Sequence, residues 1–324
     1  MEAFPHSTEL KFTPFQWAVT PQDPNDRLLG QLIAESSSGT EGDVVLFGLP
    51  FDGAVLGRRG AAAGPAAIRA QARKLKSYSY IFGALQRRVL DLGDVNMLPD
   101  DVPLAHLCAE RAARFALSRL RQHKQKHTHR RVVALGGDHS LTYACALPYL
   151  EKHGDRLAVI NLDAHLDVRQ VPNGQMQNSG TSFGRLLVGG LRSYTAIGVR
   201  DFQTSAAYVR RMNESRGRVV PASEVFESGA IRTAKAALRA LPKKCEAIYL
   251  SVDIDVADAS VAPGASAATP GGLLAHQVFE LVRTLAADPR TVACDIMELA
   301  PALEEPGSDR TARLAAGCLA EMLY

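Results

Sequence analysis

The sequence predicts an α/β fold whose parallel central sheet is covered by helices on both faces. Short, nearly continuous apolar runs alternate with amphipathic stretches along most of the chain. This pattern is typical of parallel strands that are buried on both faces and separated by covering helices. No internal repeat and no Pro/Ser-rich linker divides the 324 residues. We therefore predict a single domain over residues 1–324.

Seven apolar runs are predicted to be strands, and the amphipathic stretches around them to be helices. The strands are predicted at residues 43–50, 88–92, 131–135, 157–162, 194–199, 247–252 and 291–296. The helical patterns cover residues 103–124, 230–241, 272–285 and 309–323. Residues 1–42 are interpreted as an N-terminal excursion before the core, since residues 21–42 include a Ser36-Ser37-Ser38-Gly39 run. Residues 170–180 are interpreted as an active-site loop.

The composition is that of a globular protein with a large core, because 46% of the residues are hydrophobic and 22% are charged. A net charge of +3 is too small to indicate a nucleic-acid or membrane partner. The five cysteines are odd in number and far apart, which favours free thiols in a reducing compartment. The first residues lack the pattern of a signal peptide, and no apolar stretch reaches the ~18 residues of a membrane helix. We therefore predict a cytoplasmic protein and leave a homo-oligomer open.

Polar clusters follow three of the predicted strands. Ligands of open parallel sheets bind beyond the C-terminal ends of the strands, so these clusters mark the expected site. They are Gly136-Gly137-Asp138-His139-Ser140, Asp163-Ala164-His165-Leu166-Asp167 and Asp253-Ile254-Asp255. A single aspartate at a strand end more often caps a helix or a turn. Five carboxylates and two imidazoles at one edge of a sheet, however, require a counter-charge.

A divalent cation is the counter-charge that a mixture of aspartate and histidine favours, with Mn²⁺, Mg²⁺ and Zn²⁺ as candidates. The clusters contain no cysteine, which argues against a structural zinc site. Their ligands exceed what one ion needs and suit two ions that share carboxylates. Such a pair lowers the pKa of bound water and holds a nucleophile ready at neutral pH. The sequence therefore predicts a hydrolase.

The three clusters, the last within Ser251-Val252-Asp253-Ile254-Asp255, resemble the signature blocks of the ureohydrolase (arginase/agmatinase) superfamily in residues, order and separation. The match extends to residues 50–52, 59–69 and 262–273, and it covers roughly residues 43–323. This resemblance implies a three-layer α/β/α fold, as in arginase, with a binuclear manganese site. Asp138 aligns with no ligand and is interpreted as a cap or as a partner that supports the site.

The resemblance implies six metal ligands for two Mn²⁺ ions, with two of the carboxylates bridging. One ion would be bound by His139, Asp163, Asp167 and Asp253. The other would be bound by Asp163, His165, Asp253 and Asp255, with Asp163 and Asp253 as the bridges. A metal-free relative that serves as a binding partner would lack some of these ligands, and here all six are present.

Four further residues are predicted to bind a substrate with a planar, cationic amidine or guanidine head. Glu298, in Asp295-Ile296-Met297-Glu298, resembles the glutamate that receives this head in the superfamily. Arg169 completes a motif that resembles the D-A-H-x-D-hydrophobic-R of formimidoylglutamases, and its guanidinium fits a substrate carboxylate. Ser179 begins a stretch similar to their S-G-T-x-F loop. Gln203 is neutral where arginases often have an acid.

The reaction that this resemblance implies is hydrolysis of N-formimidoyl-L-glutamate to L-glutamate and formamide. Asp167 is expected, from the resemblance, to carry a proton to the departing amine, and Glu298 to hold the amidinium. The alternative is hydrolysis of another guanidino or amidino acid, such as guanidinobutyrate, arginine or agmatine. The predicted partner is a small molecule in each case.

Overall fold

A computed structural model describes residues 10–36, 40–122, 129–171 and 176–324 of the chain. Parts of three predicted segments lie outside these residues. They are residues 1–9 and 37–39 of the N-terminal excursion, residues 123–124 of the first predicted helix, and residues 172–175 of the predicted active-site loop.

The described residues form twelve strands, and each of the seven predicted runs overlaps one of them, with β6, β11 and β12 extending beyond the predicted ends. The strands are β1 (Phe12–Thr13), β2 (Ile33–Glu35), β3 (Val44–Gly48), β4 (Tyr78–Ser79), β5 (Gly83–Ala84), β6 (Val89–Val95), β7 (Arg131–Leu135), β8 (Leu157–Leu162), β9 (Tyr194–Val199), β10 (Arg218–Pro221), β11 (Ala247–Asp253) and β12 (Thr291–Met297). Ten strands form one sheet in the order β1-β6-β3-β7-β12-β11-β8-β9-β10, with β2 also paired to β6. Every pairing in this sheet is parallel except β1 with β6.

Helices cover both faces of the sheet. They are α1 (Gly64–Ala72), α2 (Val102–Ser118), α3 (Leu141–His153), α4 (Ser182–Val188), α5 (Ala206–Glu214), α6 (Ala222–Ser228), α7 (Ala230–Ala240), α8 (Ala275–Ala286) and α9 (Arg310–Leu323). One hydrophobic core joins the sheet to α1, α6, α7, α8 and α9, and the other joins it to α2, α3, α4 and α5. Within a strand, Val133 and Leu135 enter one core while Val132 and Ala134 enter the other, as the alternation of strand side chains requires. The predicted three-layer α/β/α fold is therefore confirmed.

The N-terminal segment differs from its interpretation as an excursion before the core. Strands β1 and β2 both pair with β6, and Trp17 is 1% exposed. The indole Nε1 of Trp17 donates a hydrogen bond to Asp91 Oδ2 at 2.6 Å. Residues 10–36 thus contribute to the core, although their strands of two and three residues are too short to give a periodic signal.

The helices also differ from the predicted ones. Helix α2 ends at Ser118 rather than at residue 124, and α8 begins at Ala275 rather than at residue 272. Helices α3 to α6 were not predicted. Much of α3 is buried, and it contains Pro148, so its sequence lacks the clear amphipathic period on which a prediction depends. None of the helices in the described residues is long and apolar enough to cross a membrane.

A buried ion pair fastens α1 to β6. Arg69 Nε and Arg69 Nη2 bind the two carboxylate oxygens of Asp91 at 2.7 and 2.9 Å, and Arg69 Nη1 also donates to Asp94. The side chains of Arg69 and Asp91 are 0% and 1% exposed. This two-pronged contact satisfies a charge that would otherwise be costly to bury.

Loss of the Arg69 guanidinium is expected to destabilise the fold. Arg69→Met should lower the free energy of unfolding by about 3–5 kcal/mol, because it leaves the Asp91 carboxylate buried and unpaired. The matched control is Arg59→Met, since Arg59 pairs with Asp100 on the surface and should contribute less than about 1 kcal/mol. Urea denaturation followed by circular dichroism measures both variants. Equal effects of the two substitutions would contradict the importance of the buried pair.

Candidate active site

The predicted site residues meet at one edge of the sheet because four neighbouring parallel strands end there. Strands β7, β12, β11 and β8 are consecutive in the sheet, so their C-terminal ends point the same way. His139 lies beyond the end of β7, Asp163 directly follows β8, Asp253 ends β11 and Glu298 directly follows β12. The sheet order, rather than the sequence order, makes these residues neighbours.

A first cluster forms around the imidazole of His139, which is fully buried. Its Nδ1 lies 3.1 Å from Asp253 Oδ2, 3.2 Å from Asp167 Oδ2 and 3.5 Å from Asp163 Oδ2. Within the described part of the chain, this nitrogen has no hydrogen-bond partner. A buried nitrogen that faces three carboxylate oxygens without a hydrogen bond has the surroundings of a metal ligand.

A second cluster forms around His165. Its Nδ1 lies 3.2 Å from Asp255 Oδ2 and 3.4 Å from Asp163 Oδ1. The two oxygens of Asp163 therefore face different imidazoles, which is the geometry of a bridging carboxylate. Asp253 contacts the first cluster through Oδ2, whereas its Oδ1 accepts a hydrogen bond from the Asp255 N–H at 2.9 Å. The bridging role of Asp253 therefore stays a prediction.

The charges in these clusters strongly perturb one another. Burial, reinforced by the charges of Asp167 and Asp255, raises the pKa of Asp163 to about 6. Burial, together with repulsion from the charges of Asp255 and Asp163, raises the pKa of Asp253 well above its ordinary value. Burial opposes a charge on His165, but Asp255 and Asp163 outweigh it and raise the pKa of the imidazole to about 12. Crowded carboxylates that draw positive charge so strongly, together with imidazole nitrogens, suit divalent ions such as Mn²⁺.

A hydrogen-bond chain behind His139 sets its tautomer. The Ser251 hydroxyl donates to Asp295 Oδ1 at 2.6 Å, so its only proton is engaged. His139 Nε2, 2.9 Å from Ser251 Oγ, must therefore be the donor, which leaves the lone pair on Nδ1 of the neutral ring directed at the carboxylates. Tyr249 and Thr142 also donate to Asp295, at 2.7 and 2.8 Å. Ser251 and Asp295 each begin a motif named in the sequence analysis, but their role in orienting His139 depends on tertiary contacts.

Arg200 binds the backbone of residues 255–257, which includes Asp255 of the second cluster. Its Nη2 donates to the backbone carbonyls of Asp255, Val256 and Ala257 at 2.8 to 2.9 Å, and its Nη1 to that of Gly198 at 2.6 Å. These contacts fix the backbone that carries Asp255. Sequence reasoning assigned Arg200 no role, because a basic residue after a strand gives no sign that backbone carbonyls will surround it.

A cavity of about 230 Å³ opens above the two clusters. Its lining includes all four predicted substrate-binding residues, Arg169, Ser179, Gln203 and Glu298, together with the cluster residues His165, Asp167, Asp253 and Asp255. Leu56, Tyr208 and Ser266 also line it and were not predicted. The structure thus brings the predicted substrate contacts and four of the six predicted metal ligands to one cavity, while His139 and Asp163 are not part of its lining.

Two carboxylates of this cavity adopt unusual backbone conformations. Asp167 has φ 48° and Glu298 has φ 66°, in the left-handed region that residues other than glycine rarely adopt. Glu298 accepts a hydrogen bond from the His139 N–H at 2.7 Å and another from the Ser266 hydroxyl. Burial, followed by the charge of Asp138, raises the pKa of Glu298 to about 8. The chain therefore holds both carboxylates in position at some conformational cost.

Asp138 and Ser179 both fasten the loop at the cavity entrance. Asp138 accepts hydrogen bonds from the backbone N–H groups of Ala54 and Ser140 at 2.9 and 3.0 Å, as expected of a cap or of a partner that supports the site. Ser179 accepts from the Leu56 N–H at 3.1 Å, and its own N–H donates to the Ala54 carbonyl at 2.9 Å. No acceptor for the Ser179 hydroxyl proton is present among the residues that the structure describes, so the hydroxyl can donate to a ligand.

Comparison with known proteins identifies the family. A sequence model of the arginase family matches residues 42–324, which is most of the chain. The chain belongs to the arginase family. The predicted superfamily is thereby confirmed, and the protein is an enzyme of the amidino-hydrolase type.

Individual relatives agree with this assignment. A formimidoylglutamase from Halobacterium salinarum is 37% identical over 95% of this chain and 96% of its own length. The crystal structure of a Bacillus subtilis formimidoylglutamase superposes with a TM-score of 0.84 at 30% identity, covering 94% of this chain and 93% of that one. A Trypanosoma cruzi formiminoglutamase solved with Mn²⁺ gives a TM-score of 0.80 at 25% identity, covering 92% and 98%.

The hydrogen-bond chain behind His139 yields a test that does not require a substrate. Ser251→Ala should weaken Mn²⁺ binding about 10- to 100-fold, because His139 Nε2 loses the hydrogen-bond acceptor that fixes the ring and directs the Nδ1 lone pair. Ser118→Ala, the same change at an exposed helix position, serves as the control and should bind Mn²⁺ like the wild type. Equilibrium dialysis with metal analysis measures both affinities. Unchanged binding in Ser251→Ala would show that the contact does not orient the ligand.

Proposed function

We propose that the enzyme is a binuclear manganese hydrolase that converts N-formimidoyl-L-glutamate to L-glutamate and formamide. The observation that carries this proposal is the shared cavity, in which the guanidinium-bearing Arg169 and the carboxylate of Glu298 stand beside the two imidazole–carboxylate clusters. A cation and several carboxylates in the lining of one cavity match a substrate with an anionic tail and a cationic head. The names of the relatives support the same assignment.

The two clusters would hold two Mn²⁺ ions. His139, Asp163, Asp167 and Asp253 would bind one ion, and Asp163, His165, Asp253 and Asp255 the other. The two oxygens of Asp163, each beside a different imidazole, support a pair rather than a single ion. When bound, the ions supply the Lewis acidity that activates water at neutral pH.

The chain itself binds and orients the amidine head. Glu298 is buried at the cavity floor, where its carboxylate would receive the N–H groups of the amidinium in a charge-assisted contact. The hydrogen bonds from the His139 N–H and from Ser266 leave further lone pairs of Glu298 for the substrate. Asp167 lines the same cavity and would pass a proton to the departing amine, which leaves as the amino group of L-glutamate.

The cavity mouth selects the substrate tail. Arg169 is exposed and would bind a substrate carboxylate with two parallel hydrogen bonds. The Ser179 hydroxyl would donate a further bond, and the neutral Gln203 leaves an ammonium tail without a counter-charge. We also propose that the enzyme works in the cytoplasm on this small substrate. The homo-oligomer stays a prediction.

A substrate panel tests the proposed reaction. With added Mn²⁺, formimidoylglutamate should be hydrolysed with a higher kcat/KM than guanidinobutyrate, arginine or agmatine. Asp163→Ala should lose both bound metal and activity, because it removes the carboxylate that both imidazoles face, whereas the exposed control Asp100→Ala should retain both. Preference for agmatine would contradict the proposed substrate, and full activity of Asp163→Ala would contradict the metal site.

The role of Arg169 has its own test. A charge-assisted contact contributes about 1.5–3 kcal/mol, so Arg169→Ala should lower kcat/KM for formimidoylglutamate about ten- to a hundredfold with bound metal unchanged. Arg169→Lys should recover only part of the loss, since an ammonium lacks the planar fork. Arg210→Ala, at an exposed position of α5, is the control. An unaltered kcat/KM in Arg169→Ala would remove Arg169 from the substrate site.

A further inference from the structure

The side chain of Arg169 passes directly over Gly180. A Cβ atom at residue 180 would lie 2.7 Å from both Cδ and Nε of Arg169, which is closer than real contacts of this kind. The Arg169 N–H also donates to the Gly180 carbonyl at 2.9 Å, so the two segments are held side by side. A side chain at residue 180 would therefore displace the Arg169 side chain from this path.

The guanidinium of Arg169 ends over an aromatic ring. Its Cζ lies 5.7 Å from the centre of the Tyr208 ring, within the range of a cation–π contact, and Tyr208 lines the active-site cavity. Among the described residues, no carboxylate lies within 4 Å of this guanidinium. The ring thus holds the cation without neutralising it.

Helix α5 places this ring. The Ser205 hydroxyl caps the helix by accepting from the Tyr208 N–H at 3.3 Å, and Arg211 donates to the carbonyl of Val168, the residue before Arg169. Met212 is the one side chain of α5 that is buried. The Arg211 contact thus ties α5 to the segment that carries Arg169.

We propose that Gly180 and Tyr208 determine the specificity of the enzyme by forming a slot that fixes the Arg169 guanidinium at the cavity mouth. Gly180 provides the space and Tyr208 is a positioning residue whose ring orients the cation toward the carboxylate of an anionic substrate. The inference rests on the proposed function in one respect, namely that the substrate carries such a carboxylate.

Exchanges at residue 208 separate the effect of the ring from that of the hydroxyl. Tyr208→Leu should raise KM for formimidoylglutamate about two- to fivefold, the size expected for an exposed cation–π contact, with kcat within about twofold of the wild type. Tyr208→Phe should restore the wild-type KM, because it keeps the ring. Tyr80→Leu is the matched control, since Tyr80 is fully exposed on the β4–β5 hairpin. A KM of Tyr208→Leu equal to that of the control overturns the role of Tyr208.

Gly180→Ala and the double variants test the slot as a unit. Gly180→Ala should raise KM at least as much as Tyr208→Leu, because the new Cβ displaces the arginine side chain. In the Arg169→Ala background, neither Tyr208→Leu nor Gly180→Ala should raise KM further, since both act through Arg169. Fully additive effects overturn the proposal, as does an unchanged KM in Gly180→Ala.

A binding measurement distinguishes failure of the slot from failure of the proposed reaction. L-Glutamate is titrated calorimetrically into the Mn²⁺-loaded wild type and variants, and Tyr208→Leu and Gly180→Ala should weaken its binding by the same factors as KM. Slot-dependent L-glutamate binding without turnover of formimidoylglutamate overturns the proposed reaction alone. If the wild type hydrolyses formimidoylglutamate but neither substitution weakens L-glutamate binding, the slot alone is overturned. A wild type that binds no L-glutamate also overturns the slot.

Discussion

The repulsion between carboxylates buried at the ends of β8 and β11 is the constraint on which the rest of the site depends. Asp163, Asp253 and Asp255 are almost fully buried and share two imidazoles. Such a group is stable only when cations stand between the carboxylates and the backbone cannot relax away from them. The surrounding hydrogen bonds meet the second condition, because Arg200 fixes the chain after Asp255, and Ser251 with Asp295 fixes the ring of His139.

The site has two parts with different physical properties. Its floor is built from residues at strand ends, is buried, and contains the ionisable groups to which the proposed function assigns the chemistry. Its mouth is built from loops and the sparsely buried helix α5, which contribute Arg169, Gln203 and Tyr208. In the proposed function, this arrangement separates substrate selection at the mouth from the hydrolytic step at the floor. Loops on a rigid scaffold commonly serve this purpose.

Much of the fold and of the floor could be predicted from the sequence, because buried parallel strands are apolar runs and the residues after them are charged. The contributions of Trp17, Ser251 and Arg200 could not. Trp17 belongs to a segment without periodicity, Ser251 looks like any strand serine, and Arg200 bonds to backbone carbonyls that no side-chain pattern reveals. Tertiary contacts decide the roles of all three. The family resemblance supplied the individual ligand assignments, which spacing alone left open.

The place of β12 in the sheet has a consequence for how the protein matures. This strand lies between β7 and β11, yet it is synthesised after both. Until it inserts, the sheet exists as two separate halves, each with an unpaired parallel edge. Such edges invite association with other chains, and pairing between distant segments is slow. The nascent protein is therefore most prone to aggregation before β12 inserts. Insertion of β12 pairs both free edges and at the same time completes the edge of the sheet that carries the site.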